Sequence, residues 1–346
     1  MSYNNTMCSE QYVFSNRGHR LSTRLTLPKQ PEHTLGYVIY IHGYGAHSNR
    51  PHVQIMAKQL REANYGMITF DFHGHGYSTG KRCYIDKYEH LIDDVFSVLF
   101  HLFFFKLQDY QTKIDSKLPF YMMGHSMGGC VSLISSLILS HSFDMEHNLM
   151  TPYIVDNAIA LQSISKRFSG LILFAPLISL PISEMLIKYI IKPMTMCCPN
   201  ECFPQWVVDE NDANYLSWSN KAYRKYIEYD GYPKNPYGLS YGSNIKFKTL
   251  LSLYEMCEAL NSSTLHLNVP VVIYQDEHDT SCKYEFTVKY FHEKCKTSFR
   301  LEKVTDGFHD MLANKTNDAV QNVLDDLHVF ANKCRSTNNQ YVGGSM

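Results

Sequence analysis

The sequence predicts an α/β fold in which helices cover both faces of a mostly parallel sheet. Short apolar segments rich in β-branched and aromatic residues alternate with longer segments of helical periodicity, which is the pattern of such sheets. The chain has 346 residues, more than the roughly 250 to 300 that one hydrophobic core comfortably serves. We therefore expect a second subregion, and residues 177–267 offer the space for a lid inserted between two strands.

The alternation begins at Tyr37 and continues to Phe174. Before it, residues Tyr12 to Leu27 predict antiparallel strands at one edge of the sheet. In order, the expected elements are a strand at Tyr37–His42, a helix at Pro51–Ala63, a strand at Gly66–Asp71, a helix at Tyr88–Leu107, a strand at Phe120–Met123, a helix at Met127–Leu139 and a strand at Gly170–Phe174. The apolar run Val95 to Phe105, interrupted by Ser97, is shorter than the roughly 18 residues of a membrane span, so it predicts a core helix.

Two segments interrupt the alternation. Residues His141 to Phe168 separate a helix from the next strand by far more than the usual roughly two to six residues. They contain a possible helix at Tyr153–Ser165, to which we assign no function. Residues Leu177 to Leu267 form the predicted lid. The expected organisation is a first part of the core at 12–176, the lid at 177–267, a second part of the core at 268–335, and flexible tails at 1–11 and 336–346.

The pentapeptide Gly124-His125-Ser126-Met127-Gly128 lies between a predicted strand and a predicted helix. A G-x-S-x-G sequence in this context forms a sharp turn that exposes the serine hydroxyl, and its glycines avoid collisions with the neighbouring strand and helix. The same pentapeptide in an ordinary glycine turn would have no catalytic role. The strand-turn-helix context favours Ser126 as a nucleophile.

An acid is expected after the buried strand Val269–Gln275, because the carboxyl ends of parallel strands lie on the ligand-binding edge of the sheet. Three carboxylates follow this strand, at Asp276, Glu277 and Asp279. Asp276 falls where the strand ends and can cap the turn through its side chain, whereas Asp279 lies at the tip of the loop. We therefore favour Asp279 as the acid that orients a catalytic base.

The base is expected after the acid, in the chain order serine, acid, histidine. The chain has 17 histidines, so position must decide among them. After the acid loop, His292 and His328 fall in helix-like segments, whereas His309 stands in a glycine-containing loop after the strand-like run Phe299–Val304. His309 is therefore the predicted base.

A tetrahedral intermediate also needs backbone N–H donors, each worth roughly 3 to 4 kcal/mol of barrier. One donor is expected at Met127, directly after the nucleophile. The other is expected in the loop His42–His47, with Tyr44 supplying the N–H between two glycines. These two amides form the predicted oxyanion hole.

Together these motifs resemble the monoglyceride lipase and lysophospholipase (serine aminopeptidase-like) group of α/β-hydrolases, over roughly Tyr12 to Phe330. The segments that carry the resemblance are His42–Ser48, Asp71–Ser78, Gly124–Gly129 and the loops around Asp279 and His309, in family order. The resemblance implies an α/β-hydrolase fold with a mostly parallel eight-stranded sheet and an inserted helical lid.

The same resemblance implies a catalytic triad of Ser126, Asp279 and His309, with oxyanion-hole amides at Tyr44 and Met127. The implied reaction is hydrolysis of carboxylic esters of lipids, a monoacylglycerol or a lysophospholipid, through an acyl-enzyme on Ser126. The chain departs from the family in having Tyr44 where a small residue is common. We expect activity to fall below about pH 6.5, where a free imidazole becomes protonated.

Three other functions remain open on this scaffold. A small-ester carboxylesterase would use the same residues without preferring long acyl chains. A peptidase would use Asp276 or Glu277 to hold a free amine. A non-catalytic ligand-binding protein commonly lacks a triad member, and this chain retains all of them.

The lid segment Leu180–Ile191 begins with a proline near a helix N-terminus and is apolar around most of its circumference. Packing within the lid, a lining for an acyl chain and a surface resting on a membrane all explain such a helix. The resemblance favours the last two, and the candidate substrate-binding residues are Leu186, Tyr189 and Ile190. The loop Tyr229–Gly238 is expected to be ordered near the entrance.

Composition limits the remaining partners. The formal net charge of −1 provides no basic field for nucleic acid. The ten cysteines are scattered, and the first residues lack the basic and apolar segments of a signal peptide. We therefore expect reduced thiols in a cytoplasmic protein, with possible peripheral membrane contact through the lid and no required protein partner.

No cofactor or metal ion is expected. The cysteine cluster Cys197, Cys198 and Cys202 lacks paired histidines at ligand spacing, so a zinc site there is the weaker alternative to free lid thiols. The loop Asp71–Ser78 carries two histidines beside an aspartate, but its glycines favour a structural turn below the active site.

Overall fold

In this computed structural model the described residues are 8–105, 114–115, 117–144, 147–203, 221–264 and 266–342. The strands are β1 (Cys8–Phe14), β2 (Arg20–Thr26), β3 (Gly36–Ile41), β4 (Tyr65–Phe70), β5 (Phe120–His125), β6 (Phe168–Phe174), β7 (Gly231–Tyr232), β8 (Ser240–Tyr241), β9 (Val271–Asp276) and β10 (Phe299–Val304). Strands β7 and β8 pair with each other, and the other eight form one sheet of order β1-β2-β4-β3-β5-β6-β9-β10. The predicted eight-stranded sheet is therefore confirmed.

Six neighbouring strands of the sheet, β4, β3, β5, β6, β9 and β10, pair in parallel, and the two strands beyond β4 pair antiparallel. Strand β1 pairs antiparallel with β2, and β2 pairs antiparallel with β4. The predicted antiparallel edge is therefore confirmed. Parallel order among β3, β5, β6, β9 and β10 brings the residues that follow these strands to one edge of the sheet.

The helices connect these strands. They are α1 (Pro51–Glu62), α2 (Glu89–Phe100), α3 (Met127–Ser140), α4 (Pro152–Asp156), α5 (Ala158–Ser165), α6 (Glu184–Leu186), α7 (Lys192–Cys197), α8 (Lys221–Asp230), α9 (Phe247–Ser262), α10 (Tyr284–Lys294), α11 (Met311–Asn314) and α12 (Thr316–Val342). A 3-10 turn covers Pro31–His33, and π-helical turns cover His101–Phe105 and Ile187–Ile191.

Both faces of the sheet are buried, as a parallel sheet between two helical layers requires. Strand β3 illustrates the alternation, because Ile39 and Ile41 face one apolar cluster while Val38 and Tyr40 face the other. The first cluster includes α2, α3 and α9, and the second includes α1 and α12. Val95 to Phe103 is buried in the first cluster, so the predicted core helix is confirmed, while Leu107 lies outside the described residues.

The connection at residues 141–168 contains two helices where one was predicted. Helix α4 ends at Asp156 and α5 begins at Ala158, because the Asn157 amide bonds the Tyr153 carbonyl at 2.8 Å and interrupts the regular pattern. Thr151 caps α4 by accepting the Ile154 N–H at 3.3 Å. The same hydroxyl donates to the Asp93 carboxylate at 2.5 Å, which fixes the connection against α2.

The lid helix begins later than the sequence predicted. Its first helical residue is Glu184, and the Ser183 hydroxyl caps it by accepting the Leu186 N–H at 3.3 Å. A serine cap competes successfully with the upstream proline because it satisfies an otherwise unpaired helical N–H. The helix then passes through the π-helical turn into α7, where Pro193 provides no N–H for a regular bond.

The ends of the chain also differ from the predicted tails. Strand β1 begins at Cys8, four residues before the predicted start of the core, and α12 continues to Val342, beyond the predicted boundary at 335. Residues 1–7 and 343–346 lie outside the described residues. Across the described ranges, every helix is too short or too polar to cross a bilayer.

Candidate active site

Ser126 occupies a strained turn between β5 and α3. Its backbone has φ 55° and ψ −122°, a region that non-glycine residues rarely adopt. The turn is held by two hydrogen bonds: the Ser126 N–H donates to the Phe174 carbonyl at 3.0 Å, and the Leu177 N–H donates to the Ser126 carbonyl at 3.0 Å. A Cβ at Gly128 would collide with the carbonyl of Ile41, so only glycine permits this approach of α3 to β3.

His309 bridges Ser126 and Asp279. Its Nε2 lies 3.0 Å from the Ser126 Oγ, and its Nδ1 lies 2.9 Å and 3.1 Å from the two carboxylate oxygens of Asp279. A carboxylate can only accept, so Nδ1 carries the proton and Nε2 is left to accept from the serine hydroxyl. The structure thus brings together the three residues predicted to form the triad.

The three carboxylates of the acid loop have separate partners. Asp276 accepts the backbone N–H groups of Gly307 at 2.7 Å and Phe308 at 2.9 Å, which fixes the loop that precedes His309. Burial tends to raise the pKa of Asp276, but the hydrogen bonds from the His278, Phe308 and Gly307 N–H groups outweigh it and leave the pKa below its ordinary value. Glu277 pairs with Lys303 at the surface. Only Asp279 of the three contacts the His309 ring.

A buried polar group supports the His309 loop from the other side. The His125 Nε2 lies 2.9 Å from the His309 carbonyl, and because a carbonyl only accepts, this nitrogen carries the proton. Next to it, Asp310 is buried and lies 3.8 Å from Arg50. These three side chains were not identified from the sequence; His125 and Asp310 flank the predicted residues, whereas nothing local distinguishes Arg50.

The pKa of His309 reflects its neighbours. Burial tends to lower it, but the charge of Asp279, the hydrogen bond to Asp279 and the charge of Asp310 together raise it above the ordinary 6.5. The imidazolium is stabilised by the two carboxylates. As the pH falls, His309 therefore becomes protonated at a higher pH than free imidazole does, and it can then no longer accept the serine proton.

The predicted oxyanion loop passes beside the nucleophile. A Cβ at Gly43 would lie 3.1 Å from the Ser126 Cβ, so the backbone leading to Tyr44 approaches the serine closely. Met127, the first residue of α3, is fully buried and follows Ser126 directly. The Tyr44 ring packs against His75, and its hydroxyl donates to the Cys83 carbonyl at 3.2 Å.

Comparisons with known proteins identify relatives in sequence and in fold. A profile of the family described as serine aminopeptidase, S33 matches residues 32–144. The chain is 21% identical to human monoglyceride lipase over 310 residues, which cover 89% of this chain and 86% of that protein. A soluble variant of monoglyceride lipase from Saccharomyces cerevisiae, solved with a substrate analogue, has a similar structure with a TM-score of 0.62 and 19% identity, covering 94% of this chain and 98% of that chain.

The chain has the α/β-hydrolase fold. Its sequence is similar to those of the monoglyceride lipases, which supports an ester hydrolase. A carboxyl esterase from Bacillus coagulans, solved with glycerol, is also similar, with a TM-score of 0.64 and 15% identity, covering 94% of this chain and all of that one. At such identities the structural likeness establishes the fold, and the substrate must be argued from the site.

The candidate substrate-binding residues of the hydrolase have different surroundings. Leu186 is half-buried and packs against the apolar cluster inside the lid. Tyr189 and Ile190 face solvent, with 65% and 49% of their surfaces exposed. The helix therefore divides its apolar circumference between a packed side and an exposed side, and the two exposed residues do not line a closed pocket.

The residues of the loop Asp71–Ser78 that were weighed as metal ligands have protein partners. Asp71 accepts the Ser48 N–H at 2.7 Å and the Tyr77 N–H at 2.9 Å, and the His73 Nδ1 lies 2.6 Å from Asp94. Among the described side chains, the set close enough to share an ion is Asp279, Cys282 and His309. Two of these already hydrogen bond to each other. Cys282, which the sequence did not single out, is buried with its Sγ 4.0 Å from the Ser126 Oγ.

The three acid-loop carboxylates provide a matched series of variants. We expect Asp279→Asn to lower kcat/KM for a short ester by about 10³- to 10⁴-fold, because the amide favours the wrong His309 tautomer. Glu277→Gln should leave kcat/KM within about twofold, since this residue is exposed. Asp276→Asn should lower the thermal transition and kcat together by loosening the loop. Equal losses in Asp279→Asn and Glu277→Gln would contradict the assignment.

The pH dependence of kcat/KM tests His309 directly. Only neutral imidazole can accept the serine proton, and the pKa of His309 is raised. Activity should therefore fall as pH drops through a midpoint above 6.5, higher than the sequence alone suggested. A rate that stays flat from neutral pH to about pH 5 would exclude His309 as the base.

Proposed function

We propose that this hydrolase cleaves carboxylic esters of lipids through an acyl-enzyme on Ser126. The observation that carries the proposal is the continuous hydrogen-bonded chain from Ser126 through His309 to Asp279, with distances of 3.0 Å and 2.9 Å. A serine with this base and this acid is an activated nucleophile for acyl transfer. Relatives named monoglyceride lipase support a lipid ester as the substrate class.

In the proposed reaction, the Ser126 Oγ forms a bond to the ester carbonyl carbon while its proton passes to His309 Nε2. The carbonyl oxygen becomes an oxyanion and is stabilised by the N–H groups of Tyr44 and Met127. His309 then gives the proton to the alcohol oxygen as the carbon–oxygen bond breaks. Water attacks the acyl-serine by the same route, His309 returns a proton to Ser126, and the fatty acid leaves.

The composition of the proposed lid favours a substrate with a long apolar acyl group over an ester with a small acyl group. Residues 177–267, which we propose as the lid between core parts 12–176 and 268–335, contain an apolar cluster of their own. Its buried members are Ile187, Ile191, Phe203, Phe247, Leu250 and Leu251. An apolar chain bound beside such a lid is stabilised by roughly 0.8 kcal/mol per buried methylene. A monoacylglycerol and a lysophospholipid both present this chain.

A peptidase function receives less support from the acid loop. The two residues proposed to hold a free amine are Asp276 and Glu277. Asp276 accepts three backbone N–H groups, and Glu277 pairs with Lys303. Because both carboxylates are engaged, an incoming ammonium would have to displace a protein partner from either one. We therefore favour ester hydrolysis.

Covalent labelling followed by a substrate series tests the proposed function. A long-chain fluorophosphonate should add one adduct to the intact protein, and Ser126→Ala should abolish the mass shift. Ser140→Ala, at the far end of the same helix, serves as the matched control and should retain it. For monoacylglycerols, kcat/KM should rise with acyl chain length because more methylenes are buried.

Two results would contradict the proposed hydrolysis of lipid esters. Labelling with equal kcat/KM at every chain length would indicate a small-ester carboxylesterase. Ligand binding without labelling or turnover would indicate a non-catalytic binding protein. A preference for lysophospholipid over monoacylglycerol would assign the headgroup without changing the mechanism.

We also propose that the lid helix rests on a membrane surface. Its exposed side carries large apolar residues interspersed with Lys188 and Lys192: these are Met185, Tyr189, Ile190 and Met196, with exposed fractions of 72%, 65%, 49% and 86%. Apolar side chains that enter the lipid interface, beside lysines that reach the headgroups, are the pattern of an interfacial helix. With this helix on the membrane, the hydrolase would lie beside the bilayer in which its lipid substrate is dissolved.

Vesicle binding tests the membrane proposal. The double variant Tyr189→Ser, Ile190→Ser should weaken cosedimentation with phosphatidylcholine vesicles by about tenfold, because roughly 1.4 kcal/mol of apolar insertion is lost. Phe143→Ser, which removes an apolar residue outside the lid with 73% of its surface exposed, is the control and should bind as the wild type does. Equal weakening by both variants would contradict a specific role for the lid.

A further inference from the structure

The turn that carries the proposed oxyanion amide of Tyr44 contacts the lid directly. Residues Gly43 to Ala46 close a turn in which the Ala46 N–H donates to the Gly43 carbonyl at 3.2 Å. Gly45, at the third position, has φ +68°, as a type II turn requires. The Gly45 carbonyl accepts the backbone N–H of Tyr241, a lid residue, at 2.9 Å. The lid thus forms a main-chain bond to this turn.

Side chains extend the same contact. The rings of Tyr44 and Tyr241 meet edge to face, with centroids 5.9 Å apart and planes at 73°. This is a favoured geometry for aromatic pairs. A Cβ at Gly45 would lie 3.2 Å from the Tyr241 Cβ, so the backbone of the turn also abuts this residue. Tyr241 therefore contacts both the residue that offers the amide and the residue that follows it.

Tyr241 is itself held in place. Its hydroxyl accepts from the Lys246 ammonium at 3.0 Å and donates to the Asn244 carbonyl at 3.1 Å. The same ammonium donates to the Arg82 carbonyl at 3.0 Å, and it lies 4.6 Å from the Tyr241 ring centroid. The ring is thus fixed from both its edge and its face.

A second attachment lies just before Tyr241 in the chain. The Asp230 carboxylate accepts the N–H groups of Leu239 at 3.1 Å and Ser240 at 3.0 Å, which orders the chain leading into Tyr241. It also lies 2.9 Å from the Nε2 of buried His47. The Asn49 N–H donates to the His47 Nδ1 at 3.1 Å, so Nε2 carries the proton and donates to Asp230.

The core fixes the two ends of the predicted oxyanion loop. It also contacts the middle, where the Tyr44 hydroxyl donates to the Cys83 carbonyl and the Arg50 guanidinium donates to the Gly45 carbonyl at 3.4 Å. The Phe72 N–H donates to the His42 Nε2 at 3.2 Å, and the Ser48 N–H donates to Asp71 at 2.7 Å. Between these anchors, Tyr44 and Gly45 meet the lid. The position of the Tyr44 amide therefore depends on the lid segment as well as on the α/β core.

We propose that Tyr241 is a positioning residue for the oxyanion hole, which is complete only when the lid segment Asp230–Tyr241 is docked on the turn Gly43–Ala46. This inference rests on the proposed function of Ser126 and of the Tyr44 amide. A displaced lid would leave the triad intact but would move one of the two N–H donors. Opening the lid would thereby lower the rate of the chemical step as well as expose the site.

The test uses the full-length chain and two soluble probes. One is p-nitrophenyl butyrate, which requires little lid surface for binding, and the other is a short alkylboronic acid, which forms a tetrahedral anionic adduct on Ser126. Tyr241→Ala should lower kcat by about 10- to 100-fold, which is no more than the loss of a whole N–H donor costs. KM for the ester should stay within about threefold of the wild-type value. The inhibition constant of the boronic acid should rise by a factor similar to the fall in kcat.

Matched variants separate positioning from general destabilisation. Tyr241→Phe keeps the ring and the main-chain bond and should retain kcat within about threefold. Tyr237→Ala removes an exposed lid tyrosine and should leave both probes unchanged. If Tyr241→Ala fails to fold, Tyr44→Leu and Tyr241→Leu are combined, and the double variant should lose no more kcat than the stronger single variant.

The possible outcomes test the role of Tyr241 and the proposed function separately. An unchanged kcat and boronic acid affinity in Tyr241→Ala would overturn the inference while the proposed function stands. A rise in KM confined to long-chain esters would also overturn it and make Tyr241 part of the acyl site. A wild-type protein that neither turns over the ester nor binds the boronic acid would instead overturn the proposed function.

Discussion

The close approach of helix α3 to strand β3 beside Ser126 is the constraint on which the site depends. Helix α3 can begin directly after the serine only because Gly128 lies against the carbonyl oxygens of Ile41 and His42, where a side chain would collide. This packing holds Ser126 at φ 55°, a conformation that the surrounding hydrogen bonds must stabilise. Since β3, β5, β9 and β10 all end at the same edge, the segments that follow them meet around that one turn.

Two aspartates three residues apart divide the electrostatic roles at this edge. Asp276 is saturated by backbone N–H groups and fixes the loop before His309, whereas Asp279 accepts from the imidazole itself. Each has the partner that its position after β9 allows: Asp276 is the last residue of the strand, beside β10, and Asp279 lies beyond the strand end. The pKa of His309 is raised because the buried carboxylates of Asp279 and Asp310 favour its charged form more than burial disfavours it.

The proposed lid connects an exposed apolar surface of the molecule to the candidate active site. One side of its first helix packs on apolar residues of the lid, and the opposite side exposes Tyr189 and Ile190. Further along the chain, Tyr241 donates its N–H to the Gly45 carbonyl of the oxyanion turn. Under our proposals, these contacts would couple binding at a lipid surface to the geometry of the Tyr44 N–H donor.

The sequence by itself determined the local features, because strand periodicity, turn glycines and chain order are short-range properties. It predicted the parallel sheet, its antiparallel edge, and Ser126, Asp279 and His309 at strand ends. Helix limits were less accurate, since the start of the lid helix depends on Ser183 and the break at Asn157 on one side-chain bond. Only the tertiary structure decided that Asp276 binds amides, that Arg50 and Asp310 support His309, and that Tyr241 reaches the oxyanion turn. Those contacts join residues far apart in the chain, and no periodicity encodes them.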